Sequence, residues 1–405
     1  MTDELVAVAK KFGSLSEYSI QLNRWILKPI GAWSSSSSTA REKIMSKILV
    51  VICSCFSLFT IIPSILRIIF EDEDIYLKLK MLGPISHWLI GGINYVVLLL
   101  HKNDIRSCIE HVQADWKIVA RPKDQQVMLR YAKVGRYITG FCAGFMQGGV
   151  FCYCVMLGIF KQSVKIGNET VAVYSVPCPP YKLPIYTNPT HSIVLATQFL
   201  SGFIVSSSAV AAFSLNATFA NHALGQLNVI NMWINEFVNY PRNQSKDSCV
   251  NEIDVIVEHH LRILSFIARI EHMLCLICMM ETFKCTLGMC MPSYLILAEW
   301  SDHNIQNLMA YSMIFLSMTF NIFLVCYIGE ILTEQCKKVG DVVYMTNWYE
   351  LPDKDILNLI MIISRSSKEV KITAGKLVTM SVYTFDSQIS FRILKYPTTN
   401  NNDVN

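Results

Sequence analysis

Seven apolar runs, each at least about 20 residues long, constrain this chain more than any other feature. A helix needs about 20 apolar residues to cross the hydrocarbon core of a bilayer, and inside that core only helices and closed barrels satisfy their backbone hydrogen bonds. The runs cover residues 44–70, 79–100, 131–160, 192–220, 275–297, 308–328 and 372–394, of which the last is the weakest. The sequence therefore predicts an all-α, seven-transmembrane helical bundle.

The composition agrees with a membrane bundle. Hydrophobic residues make up 52% of the chain and charged residues only 16%, whereas a soluble domain carries about 25% charged residues. The net charge of +4 is small, and no basic stripe with interleaved aromatics is present, so we expect no binding to nucleic acid. The first 43 residues contain no apolar core of signal-peptide length, so we expect no cleaved leader. Within 1–43, residues 15–30 are typical of an interfacial amphipathic helix.

The distribution of lysine and arginine predicts the orientation of the bundle. The connecting segments on one side of the membrane carry 19 of these residues and those on the other side carry 4, and the richer side faces the cytosol. The N-terminus is therefore expected in the cytosol. Asn168 begins an Asn-Glu-Thr sequon in an outer loop, so we expect it to be glycosylated. Asn243 begins a second sequon on the cytosolic side and should stay unmodified.

The last part of the chain alternates between apolar and polar stretches. Residues 44–329 hold the first six predicted spans, 330–370 form a cytosolic helical segment, 371–396 form a seventh helix that re-enters the bilayer, and 397–405 are a polar tail. Trp348 and Tyr349 lie in a part of the cytosolic segment that is too apolar to stay solvated. They predict a contact between subunits, and packing within one subunit is the alternative.

The sequence offers no signature of catalysis or metal binding. The motifs of hydrolases, zinc proteases and nucleotide-binding enzymes are absent, so we expect no enzyme activity, metal or cofactor. The fourteen cysteines lie mostly inside apolar runs, where cysteine serves as a packing residue. Cys178 lies in an outer loop and could either bridge to Cys290 or stay free. Glu281 and Lys284 are three residues apart in an apolar run, which predicts an ion pair on one helix face.

Aromatic residues and methionine collect in the outer halves of the second, third, fourth and sixth runs. An apolar wall with a few polar groups is what a small, mostly apolar ligand needs, although ordinary core packing explains each residue taken singly. The candidate ligand-binding residues are His87, Trp88, Met146, Tyr153, Phe199, Phe203, Tyr311 and Phe315.

Several motifs along nearly the whole chain resemble one known family. They are YSIQLNRW at 18–25, KPIGAW at 28–33, HALGQL at 222–227, CYIGEIL at 326–332, YMTNWYEL at 344–351, ISRS at 363–366 and KITAGK at 371–376. With these motifs the chain resembles the insect odorant receptors, most closely the large group found in ants, bees and wasps.

The resemblance implies the odorant-binding subunit of a ligand-gated, non-selective cation channel in the plasma membrane of olfactory sensory neurons. Such subunits form a heterotetramer with a shared odorant co-receptor, and the ligand is a small volatile compound bound among helices two, three, four and six. The resemblance places an anchor domain at 261–275 and 330–364. It also makes the last helix pore-lining, with Ser381, Phe385, Gln388 and Arg392 as candidates.

Two other receptor classes remain as alternatives, and the C-terminus departs from the family pattern. A gustatory-type channel would share the topology without the co-receptor, and a G-protein-coupled receptor would place its N-terminus outside. After Phe385 the chain carries Asp386, Arg392 and Lys395, which are costly at membrane depth unless they face a wet pore. A genuine variant and an alternative splice end both explain this pattern.

Overall fold

The computed structural model describes residues 5–9, 13–33, 39–159, 161–166, 169–174, 176–183, 189–239, 246–300, 305–368 and 370–393. Its longer helices are α1 (Leu15–Leu27), α2 (Ala40–Phe70), α3 (Ile75–Leu100), α4 (Lys102–Ile118), α5 (Pro122–Ile159), α6 (Thr190–Asn239), α7 (Lys246–Ala298), α8 (Ile305–Tyr344), α9 (Asp353–Ser367) and α10 (Val382–Ile393). Two antiparallel hairpins interrupt the helices: β1 (Lys161–Ile166) with β2 (Glu169–Tyr174), and β3 (Thr373–Ala374) with β4 (Val378–Thr379).

Six of the described helices are long and apolar enough to span a membrane, namely α2, α3, α5, α6, α7 and α8. All six contain a predicted run, but four of them extend far past it. Helix α5 begins at Pro122, α6 continues to Asn239, α7 begins at Lys246 and α8 continues to Tyr344. The extensions are more polar than the runs and still bury one face against neighbouring helices. An amphipathic stripe of this kind keeps a helix stable outside lipid.

The seventh predicted run has a different structure at its start. A helix was expected from residue 372, but residues 373–379 form the β3–β4 hairpin, and α10 begins only at Val382. The turn of this hairpin contains Gly375 with φ +62° and Lys376 with φ +58°, and left-handed backbone cannot continue a right-handed helix. The described part of α10 has 12 residues, which is about 18 Å of helix.

Helix α6 forms the centre of the bundle. Every residue from Val205 to Leu227 is buried, and α6 contacts α1, α2, α3, α5, α7 and α8. A helix that is buried all round must be apolar or small all round, and this stretch is rich in alanine and serine, which let helix backbones approach closely. The chain is therefore arranged around its fourth apolar run.

Helix α1 packs onto this centre through polar contacts. The Asn23 side-chain oxygen accepts hydrogen bonds from the hydroxyls of Ser214, at 2.8 Å, and Thr218, at 3.1 Å, both on α6. The Arg136 guanidinium of α5 lies over the ring of Tyr18, 4.2 Å from its centroid. The predicted amphipathic helix is present, and it buries its inner face against protein, whereas Trp25 on its other face is 60% exposed.

A buried charge cluster joins α4, α6 and α7 at the predicted cytosolic side. The Asp115 carboxylate lies 2.9 Å from His222 Nε2 and 2.7 Å from an Arg262 guanidinium nitrogen. Burial by itself raises the pKa of the Asp115 carboxyl, but the hydrogen bond with His222 and the nearby positive charges outweigh burial and hold that pKa below its usual value. Asp115 therefore stays ionised and links three helices.

Candidate ligand pocket and channel elements

Helices α3 and α6 meet along a seam that leaves no room for side chains at two glycines. A Cβ atom placed on Gly91 would lie 2.1 Å from a methyl carbon of Val205, and one placed on Gly202 would lie 3.0 Å from the Trp88 ring. The Ser208 hydroxyl also donates to the Gly91 carbonyl at 3.2 Å. The two helices are therefore in direct contact at the depth of the predicted ligand pocket.

Trp88 lies in a small apolar cluster on this seam. The cluster consists of Ile61, Met81, Ile85, Trp88, Cys178 and Val205, and it is separate from the main core. Trp88 is only 4% exposed, and the ring of His87 meets it edge-on at 5.6 Å between centroids. Of the predicted pocket residues, Trp88 thus lies between α3 and α6, and His87 lies beside it on α3.

Two polar atoms in this seam are buried without a hydrogen-bond partner among the described residues. They are the indole Nε1 of Trp88 and the hydroxyl of Ser201, the residue next to Gly202. A buried donor left unsatisfied costs about 1–3 kcal/mol. An indole N–H can only donate, and a serine hydroxyl can donate as well. Each group can therefore donate to an acceptor oxygen of a ligand.

The remaining predicted pocket residues are distributed around this point. Tyr153, Phe199 and Phe315 are half-buried, and Met146 is buried in the main core. Phe199 meets the ring of Phe151 on α5 at 6.3 Å. Phe203 is 45% exposed, so the structure does not bring it into the interior of the chain.

Tyr311 belongs to a polar cluster at the C-terminal end of α7. Its hydroxyl donates to a Glu299 carboxylate oxygen at 3.2 Å. Tyr76 donates to the same oxygen at 2.5 Å, and the Lys80 ammonium lies 3.1 Å from it. Glu299 is 6% exposed. This cluster ties α3, α7 and α8 together above the pocket residues and fixes the orientation of the Tyr311 ring.

Residues 176–183, which the sequence predicts on the outer side of the membrane, are hydrogen-bonded to α2 and α6 beside the seam. The Gln198 side chain donates to the Cys178 carbonyl at 2.5 Å and accepts from the Cys178 backbone N–H at 3.0 Å. The Ser64 hydroxyl also donates to the Cys178 carbonyl, at 3.2 Å. Cys178 is a buried free thiol and Cys290 is an exposed free thiol, so the possible disulfide between them is not formed. Gln198 had no signal in the sequence beyond being polar inside an apolar run.

The predicted Glu281–Lys284 ion pair is present on α7 and is almost completely buried, with residue exposures of 4% and 2%. The side-chain amide of Asn94 on α3 donates a hydrogen bond to Glu281. Glu281 and Lys284 both lie on α7, and Asn94 lies on α3. The cluster therefore joins two spans.

The pore-lining candidates lie on α10, except Ser381, which directly precedes it. The Ser381 hydroxyl accepts from the Thr384 backbone N–H at 3.2 Å, and the Phe385 ring lies 5.2 Å from that of Phe323 on α8. Gln388 and Arg392 belong to α10, and their side chains fall outside the described part of the structure. Asn168, the expected glycosylation site, also lies outside the described residues.

Trp348 and Tyr349 lie in a short 3₁₀ helix between α8 and α9. Trp348 is half-buried and packs against the chain's own core, whereas Tyr349 is 64% exposed. Other large apolar side chains near Tyr349 in the sequence are also exposed, and they are Tyr344, Met345, Leu357, Ile360 and Met361. The two aromatic residues therefore differ: one packs internally and the other is available to a partner.

Comparisons with known proteins identify the family and the fold of this chain. A family model described as "7tm Odorant receptor" matches residues 77–392. The chain is 25% identical to odorant receptor 82a of Drosophila melanogaster over 235 residues, which is 55% of this chain and 60% of the relative. It is 29% identical to odorant receptor 2a of the same species over 109 residues, 27% of this chain and 26% of the relative. These alignments cover less than two thirds of each relative.

Solved structures show the same fold. The insect olfactory receptor OR5 from Machilis hrabei in complex with eugenol matches 96% of this chain and 97% of its own chain, with a TM-score of 0.76 and 12% identity. A second structure of OR5 matches with a TM-score of 0.72, 14% identity and coverage of 93% and 97%. The family match extends over most of the sequence and the fold match over nearly all of it. The chain belongs to the 7tm odorant receptor family.

Proposed function

We propose that this chain is the odorant-binding subunit of a ligand-gated, non-selective cation channel. It works in the plasma membrane of olfactory sensory neurons, in a heterotetramer with a shared odorant co-receptor. The chain belongs to the odorant receptor family. The observation that supports a ligand site is at the α3–α6 seam, where the indole N–H of Trp88 is buried without a partner among the described residues. A ligand shifts a channel between states only if it binds one state more tightly than the other.

The proposed ligand pocket takes residues of α3, α5, α6 and α8, namely His87, Trp88, Met146, Tyr153, Phe199, Tyr311 and Phe315. Phe203 is left out because it is 45% exposed. The apolar cluster around Trp88 favours a small hydrocarbon-rich molecule. The unpartnered donors of Trp88 and Ser201 favour a ligand with one acceptor oxygen, such as a ketone, an aldehyde or an ester. The pore is lined by α10 and the residue before it, through Ser381, Phe385, Gln388 and Arg392.

The direct test of this function is heterologous expression with and without an odorant co-receptor, with currents recorded across a panel of volatile compounds. Odorant-evoked cation current is expected only when both chains are present. Current without the co-receptor would favour the gustatory-type alternative. A second-messenger response without any current would instead favour a G-protein-coupled receptor and contradict the proposal.

We also propose that the N-terminus is cytosolic and that Asn168 carries a glycan. The basis is the excess of lysine and arginine on one side. Asn168→Gln is expected to abolish the mobility shift that a glycosidase removes from the wild-type chain on a gel. Asn243→Gln is the matched control, because it removes the other sequon named above and should leave the shift unchanged. A shift that depends on Asn243 would invert the topology.

Tyr349 is proposed to contact a neighbouring subunit, with Trp348 supporting it from inside the chain. Tyr349→Ala removes an exposed aromatic side chain and should weaken recovery of the complex with a co-receptor by at least about tenfold, the usual effect of losing an interface hot spot. Co-purification at equal surface expression measures this change. Tyr137→Ala on α5 is the control, because Tyr137 is 77% exposed and lies outside the anchor segments. Equal recovery of both variants would contradict the interface role.

A further inference from the structure

Helix α8 connects the proposed pocket to the start of the proposed pore helix. It runs without interruption from Ile305 to Tyr344 and carries Tyr311 and Phe315 in its outer half. Glu330 lies fifteen residues after Phe315 on the same helix, which is about 22 Å along the axis at about 1.5 Å per residue. Because α8 is continuous, a movement of its outer half at the pocket also moves Glu330.

Glu330 binds the first residue of α10. Its carboxylate Oε2 accepts a hydrogen bond from the backbone N–H of Val382 at 3.1 Å. The N–H groups in the first turn of a helix have no partner inside the helix, and a negative charge is favourable at that end. The backbone N–H of Thr384, two residues further on, donates instead to the Ser381 hydroxyl of the same segment. Val382 instead depends on a carboxylate from another helix.

The backbone that enters α10 presses directly against α8 beside this bond. A Cβ atom on Gly329 would lie 2.5 Å from the Met380 carbonyl oxygen. Met380 is 2% exposed, so this approach is part of the packed interior. One helical turn further along α10, Phe385 meets Phe323 of α8. The start of α10 is therefore held to α8 at Gly329, at Glu330 and at Phe323.

The hairpin before α10 is held by a different helix. The Thr373 hydroxyl donates to a Glu271 carboxylate oxygen of α7 at 2.5 Å, and the Gly375 backbone N–H donates to the Cys275 carbonyl at 3.0 Å. Residues 373–375 are thus hydrogen-bonded to α7, whereas Val382 is hydrogen-bonded to α8. Any displacement of α8 relative to α7 must then change the position of α10 with respect to its own hairpin.

We infer that Glu330 is a positioning residue that couples α8 to the pore helix by accepting the Val382 N–H. This inference rests on the proposed channel function for its effect on current. Glu330→Ala should lower the odorant-evoked current per surface receptor by about fivefold, the usual effect of losing a helix cap. Stabilisation of the purified chain by odorant should stay unchanged, because Glu330 is far from the pocket. Glu334→Ala is the matched control, because Glu334 lies one turn further along α8 and is exposed to solvent.

Val382→Pro tests the same bond from the other side. Proline is well suited to the first position of a helix and lacks the N–H that Glu330 binds. Val382→Pro should reproduce the loss seen in Glu330→Ala, and the double variant should lose no more than either single variant, because partners in one interaction are not additive. Additive losses, or normal current per surface receptor in Glu330→Ala, would overturn the inference.

Hydrogen exchange separates this inference from the proposed function. In the purified full chain, amides of residues 382–393 should exchange faster in Glu330→Ala than in the wild type or in Glu334→Ala. If exchange is faster in Glu330→Ala but the wild-type receptor gives no odorant current, the role of Glu330 in positioning α10 is supported and the proposed channel function is contradicted. Unchanged exchange overturns the inference whatever the currents show.

Discussion

Lys284→Met is expected to destabilise the folded chain by about 3–5 kcal/mol, because it leaves the Glu281 carboxylate buried without its cation. Glu281 and Lys284 are 4% and 2% exposed, so water cannot take the place of the lost partner. The double variant Glu281→Gln with Lys284→Met removes both charges, and the glutamine oxygen can still accept from Asn94. We expect the double variant to recover most of the loss.

Thermal unfolding of the detergent-purified chain measures both variants. Lys338→Met is the matched control, because Lys338 is an exposed lysine on α8, and exposed substitutions usually change stability by no more than about 0.5 kcal/mol. A double variant as unstable as Lys284→Met alone would show that the charges themselves, and not the unpaired state, matter for the fold. Such a result would contradict the pairing argument.

This pair shows which part of the structure was accessible from the sequence. The i, i+3 spacing of Glu281 and Lys284 is local, so the helix alone brings them together. Asn94 reaches Glu281 from another span, and no spacing in one sequence encodes a contact between helices that are far apart along the chain. Local contacts were therefore predictable, and the third partner was not.

The membrane spans follow the same rule. Their cores were predictable because the length of an apolar run is a direct consequence of bilayer thickness. The continuation of α8 past residue 329 and the start of α7 before its apolar run were expected as well. The extensions of α5 and α6 were not, because they are stabilised by burial against other helices, which is a tertiary effect. The hairpin before α10 depends on left-handed backbone at Gly375 and Lys376. Lysine is not a usual residue for that conformation, so the sequence predicted a helix there.

The candidate site was predictable as a group of residue types but not as an arrangement. His87 and Trp88 do lie together, yet Phe203 is exposed at the surface of the chain. The close contacts of Gly91 with Val205 and of Gly202 with Trp88 define the seam, and neither glycine stands out in the sequence. Assignment to the ant, bee and wasp group, and the roles of the individual pocket and pore residues, stay predictions.

Trp88→Phe is expected to weaken binding of an oxygen-containing odorant by about tenfold and to leave binding of the matching hydrocarbon nearly unchanged. The substitution keeps an aromatic ring in the seam and removes the indole N–H, which has no partner among the described residues. A hydrogen bond in a dry site contributes about 1 kcal/mol or more, and 1.4 kcal/mol corresponds to a tenfold change in affinity. A ketone and an alkane of equal chain length form the test pair, and half-maximal concentrations for current or thermal stabilisation measure the difference.

Ser201→Ala distinguishes ligand recognition from a general effect on the fold. Removing a buried hydroxyl without a partner should raise the stability of the ligand-free chain by about 1 kcal/mol, while the same change should weaken ketone binding. A damaged fold would lower both stability and affinity. Higher stability of the ligand-free chain together with weaker ketone binding would therefore identify the hydroxyl as a ligand contact. Trp300→Phe controls for loss of an indole elsewhere, because Trp300 is 67% exposed. Parallel losses for ketone and alkane in Trp88→Phe would show that the ring contributes only shape, and the acceptor-oxygen class would then be wrong.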